Sequence, residues 1–180
     1  SGLKDMGSGR LMGFIEDIAP SPAERPARKL ENGGEISYDP DDKTTIFIYK
    51  TSSEPQVGMV SYFKVLSGKL KPGDELINAN NGETERISQL FIAEGKERIP
   101  VTELVAGDLG VTVKLKYGHS NNTLNTKGLD RKVRPMKFPE SRIRKAISTD
   151  SASDMEKLVT ALHKIEEEDP TLKVEQSAEL

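Results

Sequence analysis

At 180 residues the chain has room for one medium domain, or one domain with attached pieces. Its 26 basic and 29 acidic residues leave a net charge of -3, so no global field favours nucleic acid and any phosphate contact must come from a local patch. It has no Cys and no Trp, which excludes disulfides, thiol catalysis and cysteine metal sites and leaves the core to Val, Ile and Leu.

No stretch approaches the roughly 20 apolar residues of a membrane span. No charged-then-apolar leader is present, so a cytoplasmic home with no membrane partner is expected. The chain begins Ser1-Gly2-Leu3 rather than with Met, which suggests a piece excised from a longer protein.

Taken in chain order, residues 1–30 read as the end of something else. Ser8-Gly9-Arg10 starts a helix with an apolar stripe of Leu11, Met12, Phe14, Ile15 and Ile18. Pro20 and Pro22 end it, and residues 23–29 form a proline-bearing linker. The stripe has no partner within its own segment. The bland reading is that it packs on the body of the chain.

Residues 43–134 have strand grammar almost throughout. β-rich runs occupy 44–49 and 57–65, with turns at Ser67-Gly68 and Lys71-Pro72-Gly73-Asp74. Strands are predicted at 75–79, 85–92 and 108–115, with a hairpin signal at Asn80-Asn81-Gly82. Residues 117–128 read as a polar surface loop with a brief extended stretch at Thr123-Leu124. Short strands with turns at this spacing predict a closed antiparallel barrel over 31–134, which also removes exposed sheet edges.

Residues 140–174 read as strand, helix, strand. Ser153-Asp154-Met155-Glu156 has the form of a capping box. Met155, Leu158, Val159, Leu162 and Ile165 share one helical face, and Pro170 forbids continuation. Thr171 to Glu175 alternates like a strand. A unit this small cannot bury both sides of its apolar surface alone. It is expected to lean on a neighbouring domain, or to be one part of a larger one.

The chain offers little catalytic chemistry. Gly7-Ser8-Gly9-Arg10 lacks the spaced second glycine and the lysine of a P-loop, and the Gly-Lys pairs at 68–69 and 95–96 are followed by Leu70 and Glu97, not Ser or Thr. The two histidines, His119 and His163, lie far apart without Cys, so no metal site is expected. Asp39, Asp41 and Asp42 read as solvated turn formers. No catalytic, cofactor-binding or metal-binding residue is assigned. Basic clusters are the better lead: Arg131, Lys132, Arg134, Lys137, Arg142, Arg144 and Lys145 crowd the junction before the last helix, and Lys64, Lys69 and Lys71 flank one barrel turn. Their alternative is a set of ordinary solvated faces and interdomain contacts.

Several ordered blocks carry a resemblance. Gly58-Met59-Val60-Ser61-Tyr62-Phe63-Lys64-Val65-Leu66-Ser67-Gly68, Leu70-Lys71-Pro72-Gly73-Asp74 and Ala106-Gly107-Asp108-Leu109 are similar to the second domain of bacterial elongation factor G. Phe138-Pro139-Glu140 and Glu167-Glu168-Asp169-Pro170-Thr171-Leu172-Lys173-Val174 resemble the start of its third, and Ile18-Ala19-Pro20-Ser21-Pro22 the exit of its GTPase domain. The resemblance implies a mainly β fold: a translation-factor domain II barrel at 31–134, then the first half of a ferredoxin-like α+β domain III, a β-α-β unit, at 135–180. Residues 1–30 would be the last helix of the GTPase domain and its linker.

The same resemblance implies a ribosome-binding translation elongation factor acting in GTP-dependent translocation of tRNA and mRNA. GTP and Mg would belong to a GTPase domain outside this chain, which would be its partner in cis. The ribosome, through small-subunit rRNA and ribosomal proteins, would be the other partner. Lys64, Lys69 and Lys71 are the candidates for rRNA phosphate contact; Arg142, Arg144 and Lys145 are weaker ones and could equally face the absent domain. Asn121-Asn122-Thr123-Leu124, Lys64 and the 91–100 segment depart from the common pattern and look closer to a divergent, second-type factor. Ribosome recycling or ribosome protection is therefore the alternative, and a free-standing β-barrel adapter for a protein partner is the remaining one.

Overall fold

In the computed structural model, residues 2–149 and 151–175 are described. The first helix, α1 (Ser8–Ile18), forms where the sequence places it and ends before Pro20. Its stripe does not pack on the body. Leu11, Met12, Phe14, Ile15 and Ile18 remain between 46% and 64% exposed, and no residue of α1 is buried. The chain rejoins the body at Pro22, whose ring lies so close over Gly107 that a Cβ there would meet its Cγ at 2.7 Å.

Among the described residues twelve strands follow: β1 (Arg28–Lys29), β2 (Glu35–Ile36), β3 (Thr45–Glu54), β4 (Gly58–Ser67), β5 (Lys69–Leu70), β6 (Glu75–Asn78), β7 (Thr84–Arg86), β8 (Phe91–Glu94), β9 (Glu97–Pro100), β10 (Leu104–Val105), β11 (Leu109–Val113) and β12 (Thr123–Asn125). Eight of them form one antiparallel sheet in the order β7-β6-β12-β3-β4-β11-β8-β9. Strands β7 and β8 lie near opposite ends of that order, yet only residues 87–90 join them. A link this short reaches at most about 18 Å even when fully extended. The sheet must therefore curl until its ends nearly meet, which makes it a barrel.

Side chains confirm the curl. Leu76 and Ile87, at one end of the sheet, share a buried cluster with Leu90, which leads into β8 near the other, around Ile46, Ile48, Phe63, Val65 and Leu124, and Leu104 of β10 joins them. Strand β5 pairs with β10 beside them. The sequence predicts one strand over 85–92; the chain instead leaves β7 at Arg86 and enters β8 at Phe91. Ile87 and Leu90 turn into the core between them, which a continuous strand on one sheet edge would not allow. The β8–β9 hairpin turns at Gly95, where the Gly95-Lys96 pair reads from sequence as a strand-connecting turn, but the strand over 97–100 has no counterpart in the sequence reading.

A second cluster lies outside the barrel wall. Phe47 and Leu66 point outward from β3 and β4, and Leu30, Ile36 and Val133 cover them, with Tyr38, Tyr49 and Met136 alongside. Leu30 and Val133 also form an isolated bridge. The segments before and after the barrel thus pack together on its outer wall.

The last helix, α2 (Ala152–Glu168), begins earlier than the capping box predicts. Ser151 is the N-cap and makes no side-chain cap bond, so Glu156 is out of register for the reciprocal bond. The Ser151 and Ser153 hydroxyls bond each other at 2.9 Å instead, and Asp154 receives Lys157 Nζ at 3.1 Å. Asp169 caps the other end, ahead of Pro170, with its N–H to Ile165 O at 2.8 Å. Strands are predicted on both sides of α2, but the described residues there pair with no strand. Among the described residues one bond joins the two sides, from Ser141 Oγ to Thr171 O. Among the described residues no strand lies beside either stretch to pair with it.

Candidate nucleic-acid interface

The candidate surface is built around a turn that only glycine can make. Gly68 follows β4 at φ +74°, and a Cβ there would lie 2.7 Å from Asp42 O and from Thr44 N and Cα. Its N–H donates to Asp39 O at 2.7 Å, and Thr44 Oγ1 donates to Lys69 O at 2.6 Å. The turn is thereby sewn to residues 38–44, so that the loop's own side chains lie beside the lysines.

Strand β5 fixes the orientation of two of those lysines. Leu70 is buried, and alternation puts Lys69 and Lys71 on the outer side of it. Lys69 Nζ meets Asp41 Oδ1 at 3.6 Å, and Lys71 Nζ meets Glu103 Oε2 at 3.1 Å. Lys64, on β4, is half-buried, with its Nζ 4.7 Å from the centroid of the Tyr38 ring. The sequence reading did not connect Tyr38 to Lys64, because the pairing depends on how the 38–44 loop folds over β4. The lysine ion pairs are solvent-exposed, and such pairs are worth about 0–1 kcal/mol. A phosphate could take either ammonium from its carboxylate at small cost.

The second group lies elsewhere in the chain. Arg142, Arg144 and Lys145 are exposed in the unpaired stretch before α2, and among the described residues no hydrogen bond or ion pair joins them to Lys64, Lys69 or Lys71. Other members of the junction cluster serve the fold. Arg131 Nη2 meets Asp42 Oδ2 at 2.8 Å, and Lys132 Nζ meets Glu31 Oε2 at 3.1 Å. Asn121, at φ +71°, exchanges two bonds with the Met136 backbone at 2.8 and 3.2 Å, which ties the polar loop to the exit of the barrel. Among the described residues no group of His, Asp and Glu is placed to hold a metal. No helix among them is long and apolar enough to cross a membrane.

Comparison with known proteins fits this geometry element by element. Residues 43–127 match the family model for elongation factor G domain 2, which begins just ahead of β3 and ends just past β12. Residues 138–179 match the model for elongation factor G domain III, which takes in α2 and both flanking stretches. Together the two cover more than two thirds of the chain. The chain belongs to the elongation factor G family of translation factors. It is 31% identical over 175 residues to an elongation factor G-like protein of Thermotoga maritima, covering 95% of this chain and 26% of that one. It also superposes on a crystal structure of a Thermus thermophilus protein with a TM-score of 0.79 and 28% identity, over 99% of this chain and 25% of the other. The chain spans about a quarter of the length of these relatives. Within the elongation factor G-like frame, Lys64, Lys69 and Lys71 belong to domain 2, and Arg142, Arg144 and Lys145 to domain III.

Proposed function

We propose that this chain is the ribosome-contacting barrel and part of the interdomain relay of an elongation factor G-like GTPase, acting in GTP-dependent translocation of tRNA and mRNA in the cytoplasm. The observation that carries the reading is the collinear match of barrel and helix to domains 2 and III. In this division, residues 1–30 end the GTPase domain, 31–134 are domain II, and 135–180 open domain III. GTP and Mg would sit in that GTPase domain, and this chain would contribute no catalytic group.

Lys69 and Lys71, with Lys64 behind them, would meet small-subunit rRNA through charge rather than through base edges. Arg142, Arg144 and Lys145 would contact rRNA or the neighbouring domain. A recycling or protection role is the second reading. The departures at Lys64 and Asn121-Asn122, and the printed description of the Thermotoga relative as elongation factor G-like, favour it.

Two binding measurements test the proposal. The chain should bind isolated small ribosomal subunits with a log–log salt slope of roughly −1 per lysine–phosphate contact. It should not bind a fluorescent GTP analogue. Salt-independent binding to the subunits, or micromolar affinity for the analogue, would count against it.

A further inference from the structure

Past the barrel wall proper, β3 has an open edge. Strand β12 covers only Thr45 to Phe47, and the 119–122 loop then serves Ile48, through Asn122 O at 2.9 Å and Asn121 N at 2.8 Å. A bulge between Ile48 and Lys50 changes the alternation, so that the N–H groups of Thr51 and Ser53 also point away from β4. Unpaired edge donors need acceptors. Thr51 N donates to Ser120 Oγ at 3.0 Å, and Ser53 N donates to the Glu168 carboxylate.

The end of α2 has the complementary need, since the last carbonyls of a helix lack partners within it. Thr51 Oγ1 donates to Glu167 O at 2.9 Å. Each element therefore satisfies an orphan group of the other. The junction is polar and sits at one end of the helix. The apolar residues of α2 are not sealed by it: Met155, Leu158, Val159 and Leu162 are half-buried, and Ile165 is 48% exposed. Beside the junction a cavity of about 310 Å³ opens between His119 and Ser120 on the loop and Glu166, Glu167 and Pro170 on the helix.

We propose that the carboxyl end of α2 is a releasable latch on β3, with Glu168, Thr51 and Ser120 as its parts. Docked, as here, it fixes the helix on the barrel. Released, the helix swings off while the barrel core stays whole, because among the described residues no buried side chain of α2 has to leave that core. Water can take over each of these hydrogen bonds as the two elements part. The inference stands on the β3–α2 contacts and does not depend on RNA binding by the lysines.

The absence of native Cys allows a clean test. Spin labels are placed on the chain at Lys116→Cys on the barrel and Lys164→Cys on the helix, both exposed positions. With Glu168→Ala or Thr51→Val, a second, longer distance should join the first. Amide exchange at Ser53 in Glu168→Ala should rise about tenfold or more while β4 and β11 keep their protection, as expected of a local opening. A single unchanged distance in both variants would overturn the latch. So would loss of protection through β4 and β11, which would make the junction a structural pillar.

Discussion

Arg131 reaches back from the exit of the barrel to Asp42, with Nη2 2.8 Å from Oδ2, and its Nη1 donates to Ser67 Oγ at 3.1 Å. Its own carbonyl accepts from Asn125 Nδ2 at 2.7 Å, and Asn125 Oδ1 accepts from Thr45 Oγ1 at 3.0 Å. One arginine thus ties the loop before β3, the end of β4 and the end of β12 to the outgoing chain. Arg131→Ala should cost about 1–2 kcal/mol, a charge-assisted bond discounted for the partial exposure of both partners. Urea denaturation reads this directly, and Arg131→Lys should recover only part of it, since the fork is lost.

Gly68 and Gly73 make a matched pair. Both have positive φ, +74° and +98°, but a Cβ at Gly68 would strike backbone at 2.7 Å while one at Gly73 meets nothing within 4 Å. Gly73→Ala should therefore cost only backbone strain, about 1–2 kcal/mol, and Gly68→Ala clearly more. Equal losses in denaturant midpoint would refute the close approach of residues 42–44 to this turn.

Two phenylalanines should behave oppositely. Phe63 is fully buried in the barrel, and its truncation to Ala should cost about 3–5 kcal/mol. Phe14 on α1 is 60% exposed, so Phe14→Ala should stay within about 0.5 kcal/mol. Thermal melts of the two variants distinguish a helix lying free of the barrel from one packed on it.

Burial pushes the Tyr49 hydroxyl above the usual tyrosine range, and the neighbouring Tyr62, with its ring centroid 6.5 Å away, adds to the shift. A raised pKa in the folded state means that folding favours the protonated phenol. The contribution is fully present below the unfolded pKa of about 10 and is lost as pH rises through the folded value. Ultraviolet titration should show one late-ionising tyrosine that is absent in Tyr49→Phe, and that variant should lose less stability in alkali.

The barrel was legible because strand runs and glycine turns are local signals. β4 stands at Gly58–Ser67 and the Gly68 turn follows it, close to the reading from residues alone. The split of 85–92 was missed because the run is rich in strand formers, although Ile87 and Leu90, three residues apart, would face opposite sides of one continuous strand; both turn inward where the sheet closes. The N-terminus of α2 was misplaced because Ser151 and Ser153 are both adequate caps by type. Of the candidate site, Lys69 and Lys71 were legible as basic residues flanking one barrel turn. Their carboxylate neighbours Asp41 and Glu103, and Tyr38 beside Lys64, lie far off in sequence and meet them only through the folded loops. The latch on β3 escaped notice for the same reason. Two of its three donors are backbone N–H groups, which carry no residue signature.

We propose that Lys64, Lys69 and Lys71 bring the barrel to rRNA. The most direct measurement is affinity for isolated small ribosomal subunits of the protein with all three lysines changed to Glu, titrated across salt. Loss of about tenfold or more in affinity, with a salt slope shallower by roughly one for each contact removed, is the predicted result. Unchanged affinity and slope in a variant that retains its melting temperature would contradict the account.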